Sequence, residues 1–355
     1  MEKTLRIALI GQGSMGRAHS NAYRQVASFY DLPYAVEQSI LCGRNPATLT
    51  AMAQRWGWRE TAADWRDVIA RPDIDIVDVA VPNSLHAEIA IAAAQAGKIV
   101  FCEKPLANST VESAAMRDAV SNRPNMVWFN YRRVPAIQLL RSMIDDNRIG
   151  PIFHFRAFYL QEWGNDPSRP PNWKTDKAIA GSGVLGDLMS HSLDLALFLN
   201  GPIATVQALQ RTFSRGREID DATLVLARFA NGSVGTFEAT RYATGCRNRN
   251  AIEIHGENGA ARFDLEDMNR LEFFDAAPPR EEQGFRNLLV SANRYWKPGH
   301  IVGYEHTFIS ALGDFLQALA DNEPFEPDFE SGHRVQLVID AIARAASSGS
   351  TVEVQ

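Results

Sequence analysis

The stretch LRIALIGQGSMG, residues 5–16, decides the fold of the first half of this chain. A short apolar run ends at a GxGxxG pattern, and the helix-forming segment SMGRAHSNAYRQV follows at once. The pattern alone is a weak signal, but between a strand and a helix it predicts a dinucleotide-binding turn rather than a plain tight turn. Gly11 permits the turn, Gly13 lets a pyrophosphate approach the backbone, and Gly16 lets helix and strand pack closely.

Strand-like and helix-like segments continue to alternate up to about residue 130. Further apolar strands are expected at SILCGRN (39–45), IDIVDVAVP (74–82), KIVFCEKP (98–105) and NMVWFNYR (125–132), with helices between them. Helices of this length between strands predict βαβ units and a parallel sheet.

After about residue 150, strands follow one another with few helices, and Asn231-Gly232 and Glu257-Asn258-Gly259 are hairpin signals. We therefore expect an α/β fold in two parts. Residues 1–130 form an amino-terminal Rossmann dinucleotide-binding domain. Residues 131–355 form a carboxyl-terminal α+β domain with an open, mostly antiparallel sheet.

The bulk composition excludes several classes of protein. A net charge of -6 over 355 residues argues against nucleic-acid binding. The chain has no apolar run of about eighteen residues that would span a membrane, and its start runs into the glycine motif without a signal-peptide cleavage site. Cys42, Cys102 and Cys246 are odd in number and unclustered, which fits a reducing compartment. We expect a cytoplasmic protein.

The end of the second strand bears on the choice of cofactor. A dinucleotide fold normally has an acidic residue there, which binds the ribose hydroxyls. Gly43 holds that place here, Arg44 and Asn45 follow, and Glu37 is expected before the strand. Without the carboxylate a 2′-phosphate is not repelled, and Arg44 can pair with it. NADP is favoured over NAD; the alternative is that Arg44 is an exposed loop residue.

Two further loops follow strands of the predicted parallel sheet, at the edge where ligands of such sheets bind. Glu103-Lys104-Pro105 brings Lys104 to this edge, where the lysine either holds a substrate hydroxyl or forms a salt bridge with Glu103. In the loop that contains Pro82 and Asn83, the first interpretation of Asn83 is a helix cap, and the secondary hypothesis is a cofactor contact.

The segment GVLGDLMSHSLDLALFLNG, residues 183–201, is typical of a buried helix, yet it contains Asp187, His191 and Asp194. The i, i+4, i+7 spacing puts all three on one helical face. Because burying unpaired carboxylates costs several kcal/mol each, they need partners or a purpose. Metal binding is not expected, since no second histidine follows at metal spacing and the chain has no CxxC or HExxH.

Several motifs occur together in a fixed order: the glycine motif, VPNSLHAE (81–88), FCEKPLA (101–107), FNYR (129–132), GSGVLGDLMSHSLD (181–194) and GYEHTFISALGDFLQAL (303–319). With them the whole chain resembles the Gfo/Idh/MocA family of sugar and inositol dehydrogenases. One departure is Met189, where the family commonly has glycine, and this change is expected to narrow or reshape the substrate pocket.

The resemblance implies roles for individual residues. Lys104, Asp187 and His191 are the implied catalytic residues. Since histidine has a pKa near 6.5, His191 suits the general base in oxidation, with Asp187 orienting it or the substrate and Lys104 stabilising the alkoxide. Asp194 is either a second partner of His191 or a salt-bridged structural residue.

The remaining site residues are expected around this centre. The cofactor-binding set is Gly11, Gly13, Ser14, Met15, Gly16, Gly43, Arg44, Asn45, Pro82, Asn83, His86, Glu103, Lys104 and Arg132. The substrate-binding set is Lys104, Tyr131, Gln161, Trp163, Trp173, Asp187, His191 and Tyr304. Flat aromatic faces with amide donors suit pyranose rings, although either tryptophan can equally be core packing.

We therefore predict an NAD(P)-dependent oxidoreductase that transfers a hydride between the nicotinamide and a secondary hydroxyl or ketone of a sugar, glycoside or inositol-like polyol. It is expected to form a homodimer or homotetramer through the carboxyl-terminal sheet. The alternatives are a non-catalytic cofactor-binding sensor, and a hydrolase or epimerase that uses transient oxidation by bound NAD.

Overall fold

A computed structural model of the protein describes residues 3–166, 168, 170, 172–214, 216, 218–290 and 294–355. Strands and helices alternate over the first 130 residues. They are β1 (Lys3–Ile10), α1 (Ser14–Phe29), β2 (Tyr34–Cys42), α2 (Pro46–Trp56), β3 (Glu60–Ala62), α3 (Trp65–Ile69), β4 (Ile76–Val79), α4 (His86–Gln95), β5 (Ile99–Cys102), α5 (Thr110–Ala119) and β6 (Asn125–Val127), with 3₁₀ turns at Asn83–Leu85 and Asn130–Arg133.

These strands form one six-stranded parallel sheet in the order β3-β2-β1-β4-β5-β6. Ile7, Ala8 and Leu9 of the central strand β1 are fully buried. A parallel strand covered on both faces needs such an unbroken apolar run. The predicted Rossmann-type domain is confirmed.

One strand boundary differs from the prediction. β2 begins at Tyr34, so Glu37 lies inside the strand, opposite Arg6, and not before it. The first half of β2 is only half buried, so it lacks the apolar run by which the sequence marks a strand. Arg59 Nη1 lies 2.7 Å from Glu37 Oε2, and the carboxylate is therefore part of a surface ion pair.

The rest of the chain is dominated by antiparallel strands. Its elements are α6 (Pro135–Asp145), β7 (Ile152–Leu160), α7 (Lys177–Ala180), α8 (Ser190–Asn200), β8 (Ile203–Arg211), β9 (Ala222–Phe229), β10 (Val234–Thr240), β11 (Arg249–Gly256), β12 (Gly259–Asp264), β13 (Arg270–Asp275), β14 (Arg286–Leu289), α9 (Tyr304–Asp321), α10 (Phe329–Ser348) and β15 (Val352–Glu353). A π-helical turn, Leu185–Met189, precedes α8, and 3₁₀ turns lie at Trp163–Asn165, Trp173–Thr175, Leu265–Asp267 and Arg280–Glu282.

The second sheet has nine strands in the order β14-β13-β12-β11-β7-β10-β9-β8-β15. The pair β7–β10 is parallel, and the other seven pairs are antiparallel. Both predicted hairpin turns are confirmed: Asn231-Gly232 joins β9 to β10, with Gly232 at φ +90°, and Glu257-Asn258 joins β11 to β12. The mixed, mostly antiparallel sheet expected for this half is present.

The chain divides into two compact units. The amino-terminal unit comprises residues 1–130 and 303–333, and the carboxyl-terminal unit comprises residues 131–302 and 334–355. The predicted domain 131–355 was wrong for residues 303–333, because α9 packs against α1. Tyr30 Oη donates a hydrogen bond to Asp314 Oδ1 at 2.7 Å, and a Cβ on Gly313 would meet the Tyr30 ring.

Among the described residues, no helix combines the length and the apolar character needed to cross a bilayer.

Candidate active site

The glycine turn leaves room for a ligand at one glycine and none at the other two. A Cβ on Gly11, which has φ +134°, would lie 2.1 Å from the Ala80 carbonyl oxygen, and one on Gly16 would lie 2.2 Å from the Gly11 oxygen. A Cβ on Gly13 would meet no atom within 4 Å. Gly13 also provides no side-chain cap for α1, which begins Ser14-Met15. The first turn therefore fits the pyrophosphate of a dinucleotide.

The end of β2 is occupied by the side chain of Gln12. Its Nε2 donates to the Asn45 carbonyl oxygen at 3.1 Å, and the Asn45 amide donates to its Oε1 at 3.1 Å. A Cβ on Gly43 would lie 2.0 Å from that Oε1. Gln12 therefore fills the space of a carboxylate side chain at position 43. Motif reasoning missed Gln12, because it is an unspecified position of GxGxxG.

The other predicted residues of this edge differ in their surroundings. Arg44 is exposed, and Asn45 Oδ1 accepts from the Thr48 amide at 3.4 Å as the cap of α2. Pro82 precedes a 3₁₀ turn in which Asn83 is buried.

His86, a predicted cofactor contact, is fully buried between two edge loops. Its Nδ1 lies 3.0 Å from the Pro105 carbonyl oxygen, and its Nε2 lies 3.0 Å from the Val81 oxygen. The imidazole therefore connects the loop after β4 to the loop after β5.

Glu103 and Lys104 follow β5 at the carboxyl edge of the parallel sheet. The Lys104 backbone N–H donates to Glu103 Oε2 at 3.1 Å, and Glu103 Oε1 lies 2.9 Å from His19 Nε2. The Glu103 side chain is buried and accepts a hydrogen bond from the Lys104 backbone, so its contacts here are structural.

In the carboxyl-terminal unit, the segment expected as one helix begins with the π-helical turn that contains Asp187, and α8 with His191 follows. The Asp220 carboxylate accepts hydrogen bonds from the backbone amides of Gly183 and Leu185, at 2.5 and 2.8 Å. A carboxylate at this position satisfies amides that a helix start leaves without partners. π-helical turns are frequent at functional sites.

The Asp187 carboxylate lies between two cations. Lys174 Nζ is 2.8 Å from Oδ1, and Arg241 Nη2 is 3.3 Å from Oδ2. Arg241 is 1% exposed and Lys174 is 39% exposed. The Arg241 guanidinium also lies over the Trp163 ring, 4.7 Å from its centroid. Arg241 follows β10, far along the chain from Asp187, and no local motif marks it.

His191 is buried beside Tyr131, with ring centroids 4.5 Å apart. Tyr131 Oη lies 3.2 Å from Tyr159 Oη, and Tyr159 Oη donates to Asn248 Oδ1 at 2.9 Å. The predicted residue Tyr131 is therefore next to the predicted residue His191. Sequence reasoning missed Tyr159 and Asn248, because alternation along a strand does not show which polar groups meet.

The same hydrogen-bonded row continues into the loop after β7. Gln161 Nε2 donates to Asn248 Oδ1 at 2.7 Å, and Trp163 Nε1 donates to Gln161 Oε1 at 2.6 Å. Two of the predicted substrate residues are thereby joined. Trp173 is half buried in its 3₁₀ turn, and its ring centroid is 5.7 Å from Lys174 Nζ.

Three further candidate residues have contacts of their own. Arg132, a predicted cofactor contact, holds Asp194 in a buried pair: Nη2 lies 2.7 Å and Nε 3.0 Å from Oδ1. Of the two alternatives predicted for Asp194, the structure therefore agrees with a salt-bridged structural residue. Tyr304 is the first residue of α9 and belongs to the amino-terminal unit. Within the described part of the chain, no three His, Cys, Asp or Glu side chains form a potential metal site.

Comparisons with known proteins agree with both halves of this fold. Residues 5–131 match an oxidoreductase family with an NAD-binding Rossmann fold, and residues 137–262 match the Gfo/Idh/MocA carboxyl-terminal domain. The chain is 40% identical to the levoglucosan dehydrogenase of Pseudarthrobacter phenanthrenivorans, over 99% of this chain and 98% of that protein.

Two solved structures have the same architecture. A levoglucosan dehydrogenase in complex with NADH and levoglucosan has a TM-score of 0.96 and 40% identity, covering 99% of this chain and 100% of that one. An oxidoreductase domain protein from Kribbella flavida has a TM-score of 0.96 and 43% identity, with the same coverage. The resemblance found in the motifs is confirmed, and this chain belongs to the Gfo/Idh/MocA family of oxidoreductases.

Proposed function

We propose that this protein oxidises a secondary hydroxyl of a sugar, glycoside or inositol-like polyol, or reduces the corresponding ketone, with a nicotinamide dinucleotide. One observation carries the proposal: Asp187 and His191 lie on one helical segment, each within a cluster of polar and aromatic groups that suits a ring with many hydroxyls. The full-length similarity to levoglucosan dehydrogenase also supports the proposal.

The polar row beside His191 suits binding more than packing. Tyr159, Asn248, Gln161 and Trp163 form a chain of hydrogen bonds between 2.6 and 2.9 Å long. Hydroxyls and amides in such a chain offer both donors and acceptors, as the hydroxyls of a sugar do. The indole face of Trp163 suits the C–H face of a pyranose ring. We propose that this row binds the sugar ring.

The chain's own residues handle the proton. A bound nicotinamide supplies the hydride chemistry. His191 takes the hydroxyl proton in oxidation and returns it in reduction, because an imidazole can both accept and donate a proton. Asp187, between Lys174 and Arg241, accepts a hydrogen bond from a substrate hydroxyl. Lys104 stabilises the developing alkoxide, a role proposed from the family motif.

Absorbance at 340 nm during turnover tests the proposal. Purified protein with NAD or NADP and a panel of sugars should give reduced cofactor in amounts equal to the oxidised sugar. Product without net absorbance change would indicate transient oxidation. Cofactor binding in a thermal-shift assay, without any product, would indicate a sensor.

Two variants test the catalytic assignments. Lys104→Ala and His191→Ala should each lower kcat by about 10²-fold or more, because general acid–base and charge stabilisation are lost. Lys177→Ala, a change at an exposed lysine, should leave kcat unchanged. Wild-type rates in both active-site variants would overturn the assignments.

Levoglucosan is the first substrate of the panel, since the 40%-identical relative is a levoglucosan dehydrogenase. Met189, two residues after Asp187, replaces a glycine that is common in the family, and its side chain is fully buried. We therefore include other six-membered rings with different substituents, namely glucose, myo-inositol and xylose, and rank them by kcat/KM.

The residues and the relatives give opposite expectations for the cofactor. Gly43 and the exposed Arg44 favour NADP, whereas the solved levoglucosan dehydrogenase complex contains NADH. Our proposal from the residues is NADP, with the 2′-phosphate on Arg44. Arg44→Ala should then reduce kcat/KM for NADP far more than for NAD. Equal losses, or a wild-type preference for NAD, would refute it.

We also propose that the protein assembles with a second copy through one face of the nine-stranded sheet, the face that carries exposed leucines of β8 and β9. Leu209, Leu224 and Leu226 are exposed on β8 and β9, which is unusual for an apolar cluster in a monomer. Arg156 and Glu238 flank the leucines and can pair across a two-fold axis. Light scattering should give a dimer or tetramer, and Leu226→Glu should reduce the mass. A monomeric wild type would overturn this.

A further inference from the structure

The amino-terminal unit contains a sealed ion cluster formed by His19, Asp78 and Glu103. His19, on α1, is 0% exposed. Its Nδ1 lies 2.9 Å from Asp78 Oδ2, and its Nε2 lies 2.9 Å from Glu103 Oε1. Asp78 also accepts hydrogen bonds from Tyr23 Oη at 2.8 Å and Trp128 Nε1 at 2.9 Å. One imidazole therefore connects two buried carboxylates, Asp78 on β4 and Glu103 directly after β5.

The proton count of this cluster follows from its geometry. A neutral imidazole has one N–H, so one of its nitrogens would direct a lone pair at a carboxylate oxygen. An imidazolium donates to both carboxylates and leaves neither without a partner. Burial alone lowers the pKa of His19, but Asp78 and Glu103 outweigh burial and raise the pKa to about 9. The ring is therefore charged at neutral pH.

Among the described residues, the other titratable side chains that face the cluster carry no charge at neutral pH. The titratable side chains that face it are Tyr23, Cys102 and His86. Burial raises the pKa of Tyr23 and of Cys102 well above the usual values, and burial lowers the pKa of His86. All three are uncharged near pH 7, so His19 is the cation among these groups, and its single positive charge lies between the two carboxylates of Asp78 and Glu103. Its ring also stacks on Trp128, with centroids 4.2 Å apart, which fixes the ring plane.

We infer that His19 is a positioning residue for Lys104, because it holds the Glu103 carboxylate in the orientation that accepts the Lys104 backbone N–H. The two oxygens of Glu103 divide these tasks: Oε1 faces His19, and Oε2 accepts from Lys104 at 3.1 Å. Rotation of Glu103 would release the Lys104 amide. The inference rests on the proposed function only for the catalytic importance of Lys104.

The positioning also connects two loops of the candidate site. His19 lies on α1, the helix that begins at the glycine turn, and Glu103 lies at the end of β5. A bridge between them fixes the Lys104 backbone relative to the first turn of α1. The reaction rate is sensitive to the position of a catalytic group, since a displacement of about 1 Å can lower the rate by about 10²-fold.

The test compares two variants that remove one hydrogen bond each from the same cluster. In His19→Gln, the amide cannot donate to both carboxylates, so Glu103 is released. Tyr23→Phe removes a donor from Asp78 and leaves the link from Glu103 to Lys104 unchanged. Hydrogen–deuterium exchange at the Lys104 amide, in protein without substrate, measures the link directly.

We expect faster exchange of the Lys104 amide in His19→Gln, and wild-type exchange in Tyr23→Phe. In turnover, His19→Gln should lower kcat by about 10-fold or more with KM for the cofactor little changed, as for displaced catalytic groups. Tyr23→Phe should keep kcat. If His19→Gln does not fold, Glu103→Asp, whose shorter side chain cannot reach both partners, should give the same two effects.

Two results would overturn the inference: wild-type exchange at Lys104 in His19→Gln, or equal effects of the His19 and Tyr23 changes on exchange and kcat. A wild type without dehydrogenase activity would refute the proposed function, while the exchange experiment would still decide the role of His19. Ring ¹⁵N shifts of His19 provide an independent check, since both nitrogens should be protonated at pH 7.

Discussion

Each of the two units of this protein contains a group of buried or half-buried charges. The numbers of positive and negative side chains are reversed between the two groups. In the sealed cluster, one cation, His19, lies between two carboxylates. In the group around Asp187, which we call the open cluster, one carboxylate lies between Lys174 and Arg241. His19 is fully buried, whereas Asp187 is 14% and Lys174 39% exposed.

The difference in exposure to water indicates which property each cluster controls. A charge that is closed off from water and loses its partner costs several kcal/mol, so the sealed cluster should govern stability and backbone position. A half-exposed pair contributes little to stability, because solvent screens it. It remains accessible to a substrate hydroxyl, so the open cluster should govern sugar binding. The predictions below test this division, from the largest expected effect to the smallest.

Removing the central carboxylate of the sealed cluster should have the largest effect. Asp78→Ala leaves the His19 cation with one carboxylate and removes the acceptor of Tyr23 and Trp128. The free energy of unfolding should fall by about 3–5 kcal/mol, as for other broken buried pairs, in urea denaturation. Asp73→Ala, which breaks a surface pair with Arg71, is the control and should cost much less. Similar losses in both would contradict the division.

Raising the pH should weaken the sealed cluster without any mutation. The folded-state pKa of His19 is about 9, above the usual 6.5, so its stabilisation is fully present below pH 6.5 and is lost as pH rises through 9. This shift is equivalent to about 3 kcal/mol at most. Urea midpoints of the wild type should fall over this range relative to those of His19→Gln. Parallel curves for both proteins would show that His19 does not titrate there.

In the open cluster, the buried guanidinium should matter most for sugar binding. Arg241→Met removes one partner of Asp187 and the cation over Trp163, and it should reduce kcat/KM for the sugar by about 10-fold to 100-fold. Arg241→Lys keeps the charge but not the planar fork, so its loss should be intermediate. Steady-state kinetics at saturating cofactor measure both. Unchanged KM for the sugar in Arg241→Met would remove Arg241 from the binding site.

The half-exposed partner of Asp187 should give the smallest change in stability. Lys174→Met should alter the free energy of unfolding by less than about 1 kcal/mol, as for other surface ion pairs. Its KM for the sugar should still rise several-fold, since Lys174 Nζ lies 2.8 Å from Asp187 Oδ1. A large loss of stability with unchanged KM would reverse the roles assigned to the two clusters.

Features that depend on neighbouring residues could be predicted from the sequence. Gly11 to Gly16 specify the turn into α1 through steric limits at single positions, and Asn231-Gly232 specifies its hairpin in the same way. Asp187 and His191 could be proposed as candidates from the sequence because they are only four residues apart.

Contacts between distant segments could not be predicted. Arg241, directly after β10, and Asn248, directly before β11, reach the candidate site from positions far from α8 in the sequence, and the local sequence pattern does not identify their partners. The apolar face of α9 predicts burial but does not specify α1 as its partner, so residues 303–333 were assigned to the wrong domain.

The hydrogen bonds of Gln12 constrain how cofactor preference can evolve in this chain. An Asp or Glu at position 43 cannot simply be added, because its Cβ would overlap an amide oxygen that also accepts from the Asn45 backbone. To admit such an acid, the Gln12 side chain must rotate away or be replaced by a shorter one, and both hydrogen bonds with Asn45 are then lost. Substitutions at positions 12 and 43 are therefore coupled.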